Sequence, residues 1–166
     1  MFRGIVLAAG FTVAMAAHAA DYDTGVAAFD QGDFARALAE LRPLTERGHA
    51  GAEFMLGAMY FYGKGVPGDP GTAAVWFAKA ARQGNPSAQL AFGSLHIRGI
   101  GVKQDLVKAH MWLSLAAANS NLPGVAQQAA LLREDAARLM TPEERDAARR
   151  LAQGWRPVKA GFTRGN

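Results

Sequence analysis

The sequence predicts an all-α fold, a right-handed α-solenoid built from about four antiparallel helix hairpins. Two observations favour this fold. Half of the 166 residues are apolar, yet Val and Ile are sparse and no segment alternates apolar with polar residues as a strand does. The chain also matches itself when it is shifted by 36 residues, a period typical of repeated helix pairs.

The first twenty residues have the composition of a secretory signal peptide. Arg3 precedes an apolar stretch, and small residues stand at Ala17 and Ala19. A short membrane anchor is the alternative, although the apolar run is short and ends in acidic residues without a basic stop. We therefore expect a signal peptide at 1–20, a helical repeat domain at 21–157, a basic flexible tail at 158–166, and a periplasmic or secreted protein without a transmembrane segment in its mature form.

The internal repeat covers the middle of the chain. Ten residues recur 36 positions later without a gap. They are Ala52, Gly57, Gly63, Gly65, Val66, Asp69, Ala73, Trp76, Ala80 and Ala81, followed by Ala88, Gly93, Gly99, Gly101, Val102, Asp105, Ala109, Trp112, Ala116 and Ala117. So many identities at one offset indicate two copies of the same structural unit.

Helix signals within the repeat predict where each helix begins and ends. Asp69 before Pro70 is an N-cap followed by a proline in the first turn, and Gly84 is suited to end the helix. Thr141 with Glu144 forms a capping box at the start of a last helix. We expect hairpins at approximately 22–48, 51–84, 86–120 and 123–154, the last of them a capping hairpin.

Glycines and tryptophans at repeated positions predict the packing. Gly57 and Gly93 lie in the middle of predicted helices, where a glycine costs about 1 kcal/mol, so we expect close helix crossings there. The loop glycines Gly63, Gly65, Gly99 and Gly101 permit positive φ angles. Trp76 and Trp112 are expected to lie in the core.

These residues resemble the Sel-one-like repeat family, a relative of the tetratricopeptide repeat. The resemblance rests on Ala52, Leu56-Gly57, Tyr60, Gly63-x-Gly65-Val66, Asp69, Ala73, Trp76-Phe77, Lys79-Ala80-Ala81 and Gly84. The second copy keeps this frame but has Phe92 and His96 where Leu and Tyr are usual. The resemblance implies an α-solenoid whose first helices line a concave groove.

No residue pattern indicates catalysis, a metal site or a cofactor. The chain has no Cys, and neither His96 nor His110 has a His or carboxylate three or four positions away on its predicted helix. It also lacks a nucleophile elbow and a phosphate-binding glycine loop. Some relatives are associated with penicillin binding or β-lactam hydrolysis, but they are cysteine-stapled, and this chain has no Ser-x-x-Lys sequence. We therefore predict that the protein is not an enzyme.

A second apolar stripe on the first helices predicts a binding surface. In the helix after Gly51 it contains Phe54, Phe61 and Tyr62, and one repeat later it contains Leu90, Ile97 and Arg98. Aromatic residues and Arg are typical of protein-binding hot spots. Burial of this stripe between stacked repeats is the alternative, more strongly for Phe54 than for Phe61 and Tyr62.

These features together predict a non-catalytic scaffold, adaptor or regulator of the bacterial cell envelope that binds a protein or peptide in its groove. A glycan-binding or wall-associated module is the alternative, and it would use Phe61, Tyr62 and the basic tail. Nucleic acid is not an expected partner, because the excess of basic residues is confined to the end of the chain. The sequence leaves the oligomeric state open.

Overall fold

The computed structural model describes residues 20–158, which form eight α-helices and no strand. The predicted all-α solenoid is thereby confirmed. The predicted signal peptide and basic tail lie outside the described residues, except for their border residues Ala20 and Val158. The helices are α1 (Tyr22–Asp30), α2 (Phe34–Glu46), α3 (Ala50–Tyr62), α4 (Pro70–Arg82), α5 (Pro86–Arg98), α6 (Leu106–Asn119), α7 (Pro123–Arg138) and α8 (Pro142–Gly154).

The helices stack in chain order. The pairs α1–α2, α3–α4 and α5–α6 form hairpins, and each second helix also packs against the first helix of the following pair. Each hairpin therefore contacts mainly its neighbours, as in other helical repeat proteins. This order places α3, α5 and α7, the first helices of successive pairs, on the same side of the stack.

Aspartates 36 residues apart begin the second helix of each of the first three pairs. The side chain of Asp33 accepts a hydrogen bond from the backbone N–H of Arg36, and Asp105 accepts one from Lys108 in the same way. Asp69 accepts from two backbone N–H groups at the start of α4. These side chains satisfy backbone donors that a helix leaves unpaired at its first turn.

The mid-helix glycines lie at close helix crossings. A β-carbon at Gly57 would lie 2.7 Å from the nearest ring carbon of Phe77, and one at Gly93 would lie 2.8 Å from Cγ of Leu113. Phe77 and Leu113 occupy equivalent positions in α4 and α6. The two helices of each hairpin can therefore approach this closely only because position 57 or 93 has no side chain.

The glycine loops contact the preceding hairpin. Gly65 and Gly101 have φ angles of +72° and +69°, in the left-handed region that favours glycine. A β-carbon at Gly65 would lie 2.6 Å from Cβ of Phe34, and one at Gly101 would overlap the carbonyl group of Pro70. Each loop thus lies directly on the first turn of the second helix before it, at α2 or α4.

The last two helices depart from the expected capping hairpin. α8 packs along α6, and its contact with α7 is marginal. A hydrogen bond of 3.4 Å from Nη1 of Arg145 to the carbonyl oxygen of Ala137 joins them near their connecting loop. Both helices bury alanines, Ala129 in α7 and Ala152 in α8, against clusters that contain α6 residues. In the described residues, α7 and α8 therefore both pack mainly on α6, which offers apolar surface to each of them separately.

The two repeat tryptophans have different surroundings. Trp112 is only 7% exposed, and its ring centroid lies 5.7 Å from that of Phe92 and 6.3 Å from that of Trp155. Trp76 is partly exposed, and Nζ of Lys79 lies 3.9 Å from its ring centroid. The expected core position is therefore found for Trp112, while Trp76 packs with part of its ring against the core cluster around Leu41 and Met59 and keeps the rest exposed.

Residues 155–158, which we call the C-terminal strap, return from α8 to the second hairpin. The side chains of Trp155 and Pro157 lie beside Gly84, just beyond the end of α4. The backbone N–H of Val158 donates a 2.9 Å hydrogen bond to the carbonyl oxygen of Arg82. The strap therefore satisfies one of the carbonyl groups that a helix leaves unpaired at its C-terminus.

Candidate protein-binding groove

A groove of about 510 Å³ lies where α3, α5 and α7 face the same side of the stack. Its walls are the outer turns of these three helices, and parts of α4 and of the α5–α6 loop contribute to its floor. The lining residues are Phe54, Ala58, Phe61, Tyr62, Phe77, Ser87, Leu90, Ala91, Ser94, Leu95, Ile97, Arg98, Ile100, Val125, Gln128 and Leu132.

All six residues that the sequence indicated for partner binding line this groove. Four of them, two from α3 and two from α5, are partly buried: Phe54, Phe61, Leu90 and Ile97. Tyr62 and Arg98, one at the end of each helix, are exposed. The structure thus brings residues from two repeats into one continuous surface.

Aromatic rings form the α3 side of the groove. The Phe61 ring meets the Tyr62 ring edge-on, with centroids 5.1 Å apart and an interplanar angle of 88°. Phe54 and Phe61 also contact the ring of Phe77, which is buried in α4. Phe54 and Phe61 therefore pack on the core with one edge of the ring and line the groove with the rest, so both alternatives from the sequence apply to them. Tyr62 is 66% exposed and contributes most of its ring to the surface.

The opposite side of the groove comes from α7, which the sequence analysis did not include in the site. Val125, Gln128 and Leu132 line it there. These residues lie at i, i+3 and i+7 and therefore share one helix face. The helical spacing could have revealed this wall, since the sequence already predicts a hairpin that begins at position 123. α7 occupies the place of a first helix in the stack and therefore packs beside α5.

Among the described residues, Arg98 is the one charged side chain that lines the groove. Within residues 20–158 it forms no ion pair and no side-chain hydrogen bond. Among the polar groups nearby, the Ser94 hydroxyl already donates to the carbonyl oxygen of Leu90 at 2.8 Å. The groove is therefore mostly apolar with a single unpaired positive charge, a combination that suits an apolar ligand carrying one carboxylate.

His96, which stands where a tyrosine is usual in the repeat, lies in a packing site. His96 is 5% exposed, and its Nδ1 lies 3.2 Å from the carbonyl oxygen of Lys103. Burial lowers the pKa of His96 from its ordinary value, so the ring is neutral at pH 7. It borders a second cavity of about 570 Å³ between the α5–α6 loop and Glu144. Across residues 20–158, no group of three or more His, Asp or Glu side chains has the arrangement of a metal site.

Comparison with known protein families finds the Sel1 repeat at residues 50–85 and 86–121. The chain therefore contains two Sel1 repeats, and the resemblance inferred from the sequence is confirmed. Proteins of this class are generally protein-interaction scaffolds and are typically non-catalytic. Of the helices in the described part of the chain, none is long and apolar enough to cross a membrane.

Two solved structures are similar to this chain. A protective antigen of uropathogenic Escherichia coli with an SLR fold matches 81% of the chain at 28% identity and a TM-score of 0.74. A Sel1 repeat protein from Oxalobacter formigenes matches 68% of it at 26% identity and a TM-score of 0.61. The match covers only 28% of the first protein and 46% of the second. Comparison with curated proteins finds no match.

Proposed function

We propose that this protein is a non-catalytic scaffold of the bacterial cell envelope that holds an extended segment of a partner protein in the groove between α3, α5 and α7. The observation that carries the proposal is the groove itself, an apolar surface shared by three successive first helices. Scaffolding is also the general role of Sel1 repeat proteins.

The dimensions of the groove suit an extended peptide. Packed helices lie about 8–10 Å apart, so a ligand that crosses from α3 to α7 must span roughly 20 Å. An extended chain rises about 3.3 Å per residue and covers this distance with about six residues. Apolar side chains of the ligand would contact the walls formed by Phe61 and Leu132, and a carboxylate would pair with Arg98.

Site-specific photo-crosslinking tests where the partner binds. A photoreactive amino acid replaces Ala91 inside the groove, and a control replaces Val75, an exposed residue of α4 that does not line it. We expect a specific adduct from position 91 and none from position 75. Adducts of equal yield from both positions would contradict the proposal. Digestion of envelope polysaccharide before the experiment separates a protein partner from a glycan.

Titration of the identified segment tests the hot spot. We expect Tyr62→Ala and Arg98→Ala each to reduce the binding free energy by more than about 1 kcal/mol. Arg150→Ala, which removes an exposed positive charge outside the groove, is the control for general electrostatics. Unchanged affinity in the single and double variants, with intact helical content, would place the binding surface elsewhere.

Export is the second part of the proposal, and it rests on the signal-like composition of the first twenty residues. We expect cleavage just before Ala20 or Asp21. Intact-mass measurement of protein purified from the envelope should show the loss of nineteen or twenty residues. A mature protein that still begins at Met1 or Phe2 would contradict export by this route.

A further inference from the structure

The second cavity, which we call the loop cavity, lies where the α5–α6 loop and the first turn of α6 face the start of α8. Its volume of about 570 Å³ is within the range of pockets that hold small molecules. The lining residues are His96, Lys103, Gln104, Asp105, Leu106, Val107, Lys108 and Glu144. None of them lines the groove, so the loop cavity is a separate candidate site.

The polar lining of the loop cavity is specific to the second repeat. His96, Lys103, Gln104 and Lys108 stand 36 positions after Tyr60, Pro67, Gly68 and Thr72, respectively. The loop backbone is nearly the same in both repeats, with φ angles of +65° and +72° at its two glycines in the first copy and +67° and +69° in the second. The fold therefore does not require these polar residues, and a ligand is a reason for their presence.

The first turn of α6 has two backbone N–H groups without a partner among the described residues. They belong to Leu106 and Val107, since the N-cap side chain of Asp105 accepts from the N–H of Lys108 at 2.9 Å. In α4 no such group is free, because the helix begins with Pro70 and the N-cap accepts from the next two N–H groups. Free N–H groups at the positive end of a helix dipole are suited to an anion.

His96 supplies an acceptor without a partner. The side chain is only 5% exposed, and its Nδ1 lies 3.2 Å from the carbonyl oxygen of Lys103. Since a carbonyl oxygen only accepts, Nδ1 carries the proton of the neutral ring. Nε2 therefore has a lone pair, and no donor among the described residues reaches it. Because an unpaired buried polar atom is costly, a hydroxyl group bound in the adjoining cavity would stabilise this site.

The charges of the loop cavity favour a ligand with a single negative charge. It has two ammonium and two carboxylate groups, those of Lys103, Lys108, Asp105 and Glu144. Both carboxylates are engaged, because Asp105 pairs with Lys108 at 3.2 Å and Glu144 accepts a 2.8 Å hydrogen bond from the backbone N–H of Thr141. Lys103 forms no ion pair within residues 20–158. One free ammonium group beside two carboxylates suits a carboxylate better than a doubly charged phosphate.

We propose that the loop cavity binds a small hydroxylated carboxylate, such as a sugar acid. The N–H groups of Leu106 and Val107 and the ammonium group of Lys103 hold the carboxylate. One ligand hydroxyl donates to Nε2 of His96, and another can donate to the amide oxygen of Gln104, whose amide nitrogen already donates to the backbone of α5. A hydroxyl is the expected donor because an ammonium group would add a positive charge beside Lys103.

Titration of the full chain with D-galacturonate tests this site, with chloride holding the ionic strength constant. Calorimetry measures the affinity, and the imidazole NMR signal of His96 reports the location. We expect saturable binding and a shift of that signal. Acetate, which has no hydroxyl group, and galactose, which has no carboxylate, should each bind at least about tenfold more weakly. Absence of saturable galacturonate binding, or equal binding of acetate, would overturn the proposal.

Two variants at one position isolate the role of the helix N-terminus. Leu106→Pro removes one N–H group and gives α6 the start that α4 has. Proline fits there because φ and ψ of Asp105, −157° and 97°, are close to the −146° and 97° of Asp69, which precedes Pro70. Leu106→Ala removes the same side chain and keeps the N–H group. We expect the proline variant to bind galacturonate about tenfold more weakly than the alanine variant. Equal affinities would overturn the assignment.

The charge of Lys103 is tested against a lysine in the equivalent loop of the first repeat. Lys103→Gln should weaken binding about tenfold, the effect of one lost hydrogen bond to a charged group. Lys64→Gln, which removes an exposed positive charge outside the cavity, should leave the affinity unchanged. Equal weakening in both variants would contradict the site. Circular dichroism of every variant verifies folding.

Two sources of the sugar acid are then distinguished with oligogalacturonate. Binding of the oligomer that is tighter than that of the monomer and depends on Lys103 assigns the ligand to a polysaccharide. Binding of the monomer alone assigns it to a free sugar acid. Loss of the groove function would leave either result unchanged, because the groove uses other residues.

Discussion

In the hairpin α3–α4, Trp76 lies partly exposed beneath the ammonium group of Lys79, whereas in α5–α6 the equivalent Trp112 is buried against Trp155. The two hairpins have the same frame of repeated residues, and they differ in what the following part of the chain adds. α8 and Trp155 pack on α6 beside Trp112, whereas Trp76 packs only partly on the cluster around Leu41 and Met59. Burial at a repeat position therefore depends on the next element as well as on the repeat.

The buried polar residues of the two hairpins differ in a similar way. Glu53 of α3 accepts a 2.6 Å hydrogen bond from Nε2 of Gln83, and burial raises the pKa of its carboxyl group. The equivalent Gln89 of α5 donates to the carbonyl oxygen of Ala81 at 3.2 Å, and its Oε1 has no partner among the described residues. The repeat therefore places a long polar side chain in the interior at positions 53 and 89, but the hydrogen-bond partner of that side chain differs between the two hairpins.

Replacement of the tryptophans tests this comparison with the largest expected effect. Trp112→Ala should lower the free energy of unfolding by about 4 kcal/mol, as expected for a buried aromatic side chain. Trp76→Ala should lower it by less, about 2 kcal/mol, because part of the ring is exposed although the rest packs on the cluster around Leu41 and Met59. Urea denaturation followed by circular dichroism measures both. Equal losses would show that the covering by α8 adds no stability.

The loop glycines test the contact between hairpins. Gly101→Ala should cost about 3 kcal/mol, because it combines a positive φ with overlap against the Pro70 carbonyl group. Gly99→Ala is the matched control: its φ is +67°, but its β-carbon would have ordinary contacts from 3.4 Å, so we expect about 1 kcal/mol. Thermal melts of both variants measure the difference. Similar midpoints would contradict close packing of the loop on α4.

The helix crossings should respond alike in both hairpins. Leucine at Gly57 or Gly93 would overlap Phe77 or Leu113, and overpacking of this kind costs about 1–3 kcal/mol. We expect each variant to lower the thermal midpoint. Gly124→Ala, at an exposed helix position with open space around it, is the control and should not lower it. A higher midpoint for Gly93→Leu would contradict the close-packing argument.

The smallest expected effect is a pH dependence of stability, which His96 causes and Tyr60, at the same position of the preceding repeat, does not. Burial lowers the pKa of His96 below its ordinary value of 6.5, so the unfolded chain binds a proton more readily than the native one. Stability should therefore fall as the pH decreases below about 6.5. His96→Tyr should reduce this loss, and His110 should account for part of what remains. Denaturation midpoints are measured across this pH range for the wild type and for His96→Tyr. The same dependence on pH in both would contradict the prediction.

The sequence predicted the solenoid because its signals are local and repeated. The N-cap at Asp69 and the glycine at position 57 each act on a neighbouring turn or on the other helix of the hairpin. The same 36-residue period brought Tyr62 and Arg98 to equivalent positions, so both were expected on one surface. Period and helix spacing together were sufficient for these features.

The position of α8 could not be predicted in the same way. Its few buried residues are alanines, which suit many partners, so the pattern does not distinguish packing on α7 from packing on α6. The contact of Trp155 with Trp112 follows from that choice. It depends on contacts between elements that are distant along the chain, and no repeat period encodes it.

The C-terminal strap has a consequence for cooperativity. In a linear array of repeats, each unit is stabilised only by its neighbours, and unfolding can begin at either end and spread unit by unit. Here the hydrogen bond from the backbone N–H of Val158 to the carbonyl oxygen of Arg82 joins the end of the helical domain to the second hairpin, and Trp155 packs on Trp112 of the third. The segment from α4 to the strap is thereby closed on itself and should unfold as one unit, while α1 and α2 remain free to open independently.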